Sequence, residues 1–212
     1  MRAPKIHKVI EGSELAKFGV STPHTSHCLP NNTVLISTLG DTEDNSLGQL
    51  LVIDGNTWEV TGLWTTGHKT ANHGYDYWYQ PHWDVLVASE FMVPYSWKLG
   101  CDVDVIRNKD MTGHSLNIYS WTDRNLIQTI DLGEDGMIPL ETRFLHDPKS
   151  PQGFVGCAFS STVFRFYRNC DGTWSAEKVI TIPKVKANGW VLPEIPGMIT
   201  DVLLSMDDKW LY

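Results

Sequence analysis

Apolar and polar residues along this chain fall into short alternating runs, and almost no stretch keeps a helical period. β-Branched and aromatic residues gather between Gly, Asp, Asn and Pro, the pattern of strands joined by turns. Leu50-Leu51-Val52-Ile53, the turn Asp54-Gly55-Asn56-Thr57, and Trp58 through Trp64 read as a hairpin. Asp-Gly is expected to supply its positive-φ turn residues. The pattern returns at Leu116–Trp121 with Leu126–Ile130, and again at Val163–Tyr167 with Thr173–Ile182. Two further strand-like runs precede each hairpin: His27–Leu29 and Val34–Thr38, then Tyr77–Gln80 and Val85–Ser89, then Thr142–Leu145 and Phe154–Ser160. The unit is therefore four short strands recurring roughly every 50–70 residues, which fits the blades of a propeller. A β-sandwich is the alternative all-β arrangement.

After Trp190-Val191-Leu192-Pro193-Glu194, the run Ile199–Tyr212 reads as the first strand of a fourth unit, a turn, and the start of a second strand. About three and a half four-stranded blades do not close a ring, and a blade cut within a hairpin leaves sheet edges open. The expectation is an all-β partial propeller over 1–212, a piece of a longer protein.

Composition narrows the function classes. Hydrophobic residues make up 42% of the chain and charged residues 20%, so it can bury a core. A net charge of −8 argues against a broad nucleic-acid or anionic-membrane surface. No apolar run has the length of a membrane span, and the basic start Met1–Lys8 lacks the apolar core of a signal peptide. The four cysteines form no Cys-x-x-Cys pair and are too few for a disulfide scaffold. A reducing compartment follows as the expectation, the cytosol first and the nucleus second.

The densest candidate chemistry is His24-Thr25-Ser26-His27-Cys28, since imidazole and thiolate are ligands for copper or zinc. On a regular strand His24 and His27, three apart, face opposite ways. Three arrangements remain open. A bend at Pro23 turns both inward, or His27 alone enters the channel with His24 supporting it, or both simply cap a polar strand entrance. His146, at the matching place in a later blade, is expected to converge on them, because innermost strands share one axis; a turn-capping role is the competing reading. Cys28 is the candidate reactive thiol, but alternation should turn it away from His27 and bury it between blades. Cys157 reads as blade core, and Cys101 and Cys170 as loop thiols. Glu141 and Glu194 are candidate proton acceptors, with backbone anchoring as the plainer role. Tyr75, Trp78 and Tyr79 are candidates to wall a small thiol pocket, or else packing residues. Asp41-Thr42-Glu43-Asp44-Asn45 lacks calcium-loop spacing and reads as a solvated turn.

Beyond these local readings, the chain resembles the selenium-binding protein family, which includes methanethiol oxidases. The matching residues are Arg2–Lys5, His24–Leu29, Ser37–Asp41, Gly74–Pro81, Ile138–Glu141, Arg143–His146, Gln152–Ala158, Leu192–Glu194 and Pro196-Gly197. The resemblance implies a middle portion, truncated at both ends, of a seven-bladed propeller. It implies copper-dependent oxidation of methanethiol by dioxygen to formaldehyde, hydrogen sulfide and hydrogen peroxide, and selenium bound at cysteine. The partners implied are a small thiol, dioxygen and the parent's remaining blades. It assigns metal ligation to the His24–Cys28 and Arg143–His146 motifs. The family's upstream His-His motif, its downstream His-Glu motif and its selenium-linked cysteine have no counterpart here. A non-catalytic selenium- or thiol-binding scaffold and an inactive fragment are the alternatives.

Overall fold

The computed structural model describes residues 3–98, 100, 102–189 and 193–212. Among them are three four-stranded antiparallel sheets, each with its strands in simple sequence order. The first is β1 (Ser21–Leu29), β2 (Thr33–Gly40), β3 (Ser46–Asp54) and β4 (Val60–Leu63). The second is β5 (Tyr77–Gln80), β6 (Val85–Ala88), β7 (Ser115–Ser120) and β8 (Leu126–Asp131). The third is β9 (Pro139–Phe144), β10 (Gln152–Cys157), β11 (Thr162–Arg168) and β12 (Trp174–Thr181). This is a partial β-propeller, and a sandwich is excluded because three like sheets follow one another.

Each blade packs on both faces, which explains why consecutive strand residues are apolar rather than alternating. In β6, Leu86 joins Leu35, Leu50 and Trp64 of the first blade, while Val85 and Val87 join Phe144, Val155, Phe164 and Phe166 of the third. Tyr77 is fully buried between the first two blades. Its hydroxyl donates to the Leu35 carbonyl at 2.6 Å, so the polar tip is satisfied across the blade boundary. Gly153 in β10 permits close packing, since a Cβ there would lie 2.2 Å from the Arg143 carbonyl oxygen and 2.4 Å from the Phe166 ring.

The first hairpin turn differs from expectation. The positive φ, 59°, falls on Trp58 and not on Gly55. Gly55 is required for approach instead, because a Cβ would sit 2.6 Å from the Asn32 carbonyl oxygen. Asp54 organises this turn by accepting the backbone N–H groups of Asn56 (2.7 Å) and Thr57 (3.0 Å). The Asp41–Asn45 segment is likewise a closed turn, with Asp41 accepting the N–H of Glu43 at 2.8 Å and of Asn45 at 2.9 Å.

Between β6 and β7 the chain leaves the blade and forms α2 (Pro94–Lys98) and α3 (Val103–Arg107); α1 (Gly12–Ala16) precedes β1. Met92 and Ile106 of the excursion pack on Ile138, Leu140 and Ala158 of the third blade. Beyond β12, a small β13 (Val185–Lys186) pairs with β14 (Glu194–Ile195). The anticipated fourth unit is a short hairpin in which Leu203 and Tyr212 exchange backbone bonds of 3.0 and 2.8 Å. Cys101 and Leu192 lie outside the described residues.

Candidate functional site

Strand β5 packs beside β9, and β1 meets the Tyr75–Tyr79 segment through its two histidines, so these side chains form a rim. Pairing between β1 and β2 shifts register between Pro23 and Ser26, where the strand bulges. The extra residue resets the alternation. Across this bulge His24 and His27 both meet rings of the Tyr75–Tyr79 segment. The His24 ring lies 3.9 Å from that of Tyr75. His27 lies 4.7 Å from Tyr77, 4.7 Å from Trp78 and 5.6 Å from Tyr79. Burial against these aromatics pulls both imidazoles below their ordinary value; Asp76 opposes this, and at His27 Arg143 adds to it. The His24 Nδ1 also lies 2.9 Å from the Thr25 hydroxyl.

A second cluster ties β5 to β9. Asp76, with its side chain 5% exposed, accepts the Thr142 backbone N–H at 2.9 Å and the Thr142 hydroxyl at 3.3 Å. Arg143 lies 3.5 Å from the same carboxylate, pairs with Glu141, and stands 4.3 Å over the Trp78 ring. Trp78 is thus held between His27 and Arg143. Glu141 also accepts the Val202 N–H at 2.9 Å, so both of its oxygens are engaged and it anchors the rim to the final segment rather than standing free as a base. Glu194, the other carboxylate candidate, is exposed on β14 opposite Lys186.

His146 does not join His24 and His27. Its Nδ1 lies 2.7 Å from Asp208, which also accepts the backbone N–H groups of His146 and Asp147 at 2.9 Å each. Burial alone would raise the Asp208 carboxyl, but these bonds outweigh it and hold the carboxyl below its usual value. A carboxylate on Nδ1 is the arrangement that orients a metal-binding imidazole through its other nitrogen. Among the described residues, however, no group of three or more His, Cys, Asp or Glu side chains is placed to hold a metal ion. Imidazoles are donors that suit copper.

Cys28 requires a correction. Alternation does turn it away from His27, opposite Val34, yet the thiol is exposed. It lies near Tyr77 and Tyr79 of the second blade, whose phenols its charge would raise, but they do not cover it. Cys157 is buried as expected, and burial pushes its thiol up to about 12. Cys170 is exposed. Tyr75, Trp78 and Tyr79 do not wall one pocket. Tyr75, ahead of β5, packs beside Phe91 and the Ile138–Leu140 cluster, Tyr79 packs against the first blade and Trp78 against the core shared with the third, and the crevice beside Tyr75 has about 10 Å³ of free space, room for about one water. They line an open rim instead.

Asp76 and Asp208 escaped the sequence reading. A signal existed for Asp76, a lone carboxylate inside the aromatic run Tyr75–Tyr79. Asp208 had none, because its partner lies 62 residues away.

The fold and rim define a propeller segment that presents two imidazoles, aromatic rings and an arginine–carboxylate cluster. The chain belongs to the family described as "56kDa selenium binding protein (SBP56)", which matches residues 1–212. It is similar to the methanethiol oxidases of Xenopus tropicalis (52% identical over 212 residues) and Homo sapiens (48% over 215) and to the selenium-binding protein 2 of Mus musculus (50% over 212). All of this chain is covered in each case, but only 45%, 44% and 44% of those relatives, so it spans about half their length. A solved structure, a hypothetical selenium-binding protein from Sulfolobus tokodaii, superimposes with a TM-score of 0.87 at 34% identity over 97% of this chain and 47% of that one. A periplasmic gluconolactonase of Pseudomonas aeruginosa, 12% identical with a TM-score of 0.53 over 91% of this chain and 48% of that one, shares the fold alone.

Proposed function

We propose that this chain is the part of a methanethiol oxidase that carries a portion of the inner rim. The whole protein oxidises methanethiol with dioxygen to formaldehyde, hydrogen sulfide and hydrogen peroxide in the cytosol. The observation that supports the reading is the bulge in β1, beside which the His24 ring lies 3.9 Å from Tyr75 and the His27 ring 4.7 Å from Trp78; the names of the similar relatives support it too.

The chain's own residues have definite tasks in this reading. Trp78, between His27 and Arg143, presents apolar surface to a methyl group. The Arg143 guanidinium, held over Trp78 by Asp76 and Glu141, favours the thiolate over the thiol in a small substrate at the rim. Copper supplies the electron transfer to dioxygen in this proposal. His24 and His27 are the donors this chain would bring, and the parent's other blades would complete the set. The full-length protein tests this. Stoichiometric copper and methanethiol-dependent oxygen uptake are expected, with both lost in His27→Ala. Full copper and full uptake in that variant would refute the assignment.

The exposed Cys28 thiol favours a second reading, a non-catalytic thiol- or selenium-binding propeller. Selenium retained without turnover, and released by Cys28→Ser, would support it.

A further inference from the structure

The aromatic contacts that begin at His27 do not stop at the rim. Tyr79 lies 5.6 Å from His27, and Trp121 stacks nearly parallel on Tyr79, with centroids 4.6 Å apart and planes 25° off. Trp64 follows, 5.6 Å from Trp121. These residues cross the boundary between the first two blades and end at a crevice of about 400 Å³, which Trp64 and Trp121 line with Arg124 and Asn31. The track from His24 differs: it runs through Tyr75 to Phe91, at 5.1 Å, and only then to Trp97. Phenol and indole give up one electron at similar potentials; a phenyl ring does not. The His27 track alone is built throughout from side chains that can be oxidised.

Tyr77, also beside His27, is a poor stop. An oxidised phenol must release its proton, and the Tyr77 hydroxyl is fully buried on a carbonyl oxygen, which is no base. Tyr79 is only half-buried, so its proton can pass to water. Packing alone would explain a filled boundary between blades. It does not explain an unbroken Tyr–Trp stack that joins the rim to a solvent-facing crevice with a positive side chain.

We propose that Tyr79 and Trp121 form a one-electron relay between the inner rim and this crevice, where a small anionic reductant docks beside Arg124. The idea rests on the oxidase reading, because the oxidant it serves is a one-electron oxidant derived from dioxygen or peroxide at the rim. That oxidant takes one electron from Tyr79 and is reduced by one; the phenolic proton goes to water. The tyrosyl radical regains an electron from Trp121 and a proton from water, and the indole releases its N–H proton. The reductant at the crevice returns one electron to Trp121, which recovers a proton, and is itself oxidised by one. Oxidising equivalents that outlast turnover thereby leave the rim without damaging the histidines.

The test needs neither copper nor methanethiol, so its failure is distinct from failure of the oxidase reading. A ruthenium polypyridyl photo-oxidant is tethered to the exposed Cys28 in a Cys101→Ser, Cys170→Ser background and flash-oxidised. The relay predicts a transient tryptophan radical that is lost in Trp121→Phe, reduced several-fold in yield in Tyr79→Phe, and unchanged in Tyr77→Phe. Ascorbate should speed its decay to a saturating rate, and Arg124→Gln should weaken that saturation while leaving radical yield intact. Unchanged near-ultraviolet circular dichroism establishes that each variant is folded. A radical of undiminished yield in folded Trp121→Phe or Tyr79→Phe would overturn the relay. Decay indifferent to ascorbate would overturn the docking site.

Discussion

Asp76 joins the second and third blades at their innermost strands, and its replacement is the sharpest test of how the rim is held. Asp76→Ala removes the acceptor of the Thr142 N–H and hydroxyl and one of the two carboxylates around Arg143. Thr142 is fully buried, so its donors cannot turn to water. Each buried group left unpaired costs about 1–3 kcal/mol, and loss of the charged partner adds to this, for a total of about 4 kcal/mol. In a chain of this size each kcal/mol moves the melting temperature by about 2–4 °C, so Asp76→Ala should melt about 8–16 °C lower. Asp76→Asn keeps an acceptor for Thr142 and gives up only charge; its loss should be about half as large. Thermal melts followed by near-ultraviolet circular dichroism give the ordering, and hydrogen exchange at the Thr142 amide gives the location. Equal melting temperatures for the two variants, or an Ala variant within about one degree of the parent, would refute the reasoning.

Burial, with a smaller push from His114, lowers His73 from an ordinary 6.5 to about 4. Between those values the unfolded chain binds a proton that the folded chain refuses, so stability should fall as pH drops from about 6.5 to 4, by at most about 3 kcal/mol; His73→Gln should flatten denaturant midpoints across that window. A disulfide-exchange reagent should modify Cys28 and Cys170 in the native protein and reach Cys157 only on unfolding, as their exposure dictates. Gly153→Ala should destabilise by at least about 3 kcal/mol in denaturant titration, because its Cβ meets backbone and the buried Phe166 ring at once.

The strands were legible because blades buried on both faces write apolar runs between turn residues, as in Val85–Ala88 and Val163–Tyr167. The histidine pair was half legible. Pro23 marked the place where alternation could fail, but only the register of β1 against β2 shows that it does. The exposure of Cys28 could not be read from its own segment, since burial at that face depends on how fully side chains of another blade cover it. His146 was recognised as chemistry and misplaced in space: its Asp208 partner comes from a hairpin that no local pattern connects to β9. Gly55 shows the same limit at small scale, for the Asp-Gly signal was correct about a turn and wrong about which residue takes the positive φ.

In the proposed function His24 and His27, on either side of the β1 register shift, serve oxidation of a small thiol in the whole protein. Oxygen uptake by the full-length, copper-loaded protein on addition of methanethiol tests it most directly. Uptake with hydrogen peroxide as a product is expected, lost in His27→Ala while the fold is retained. No uptake by the copper-loaded parent, or undiminished uptake by the folded variant, would contradict it.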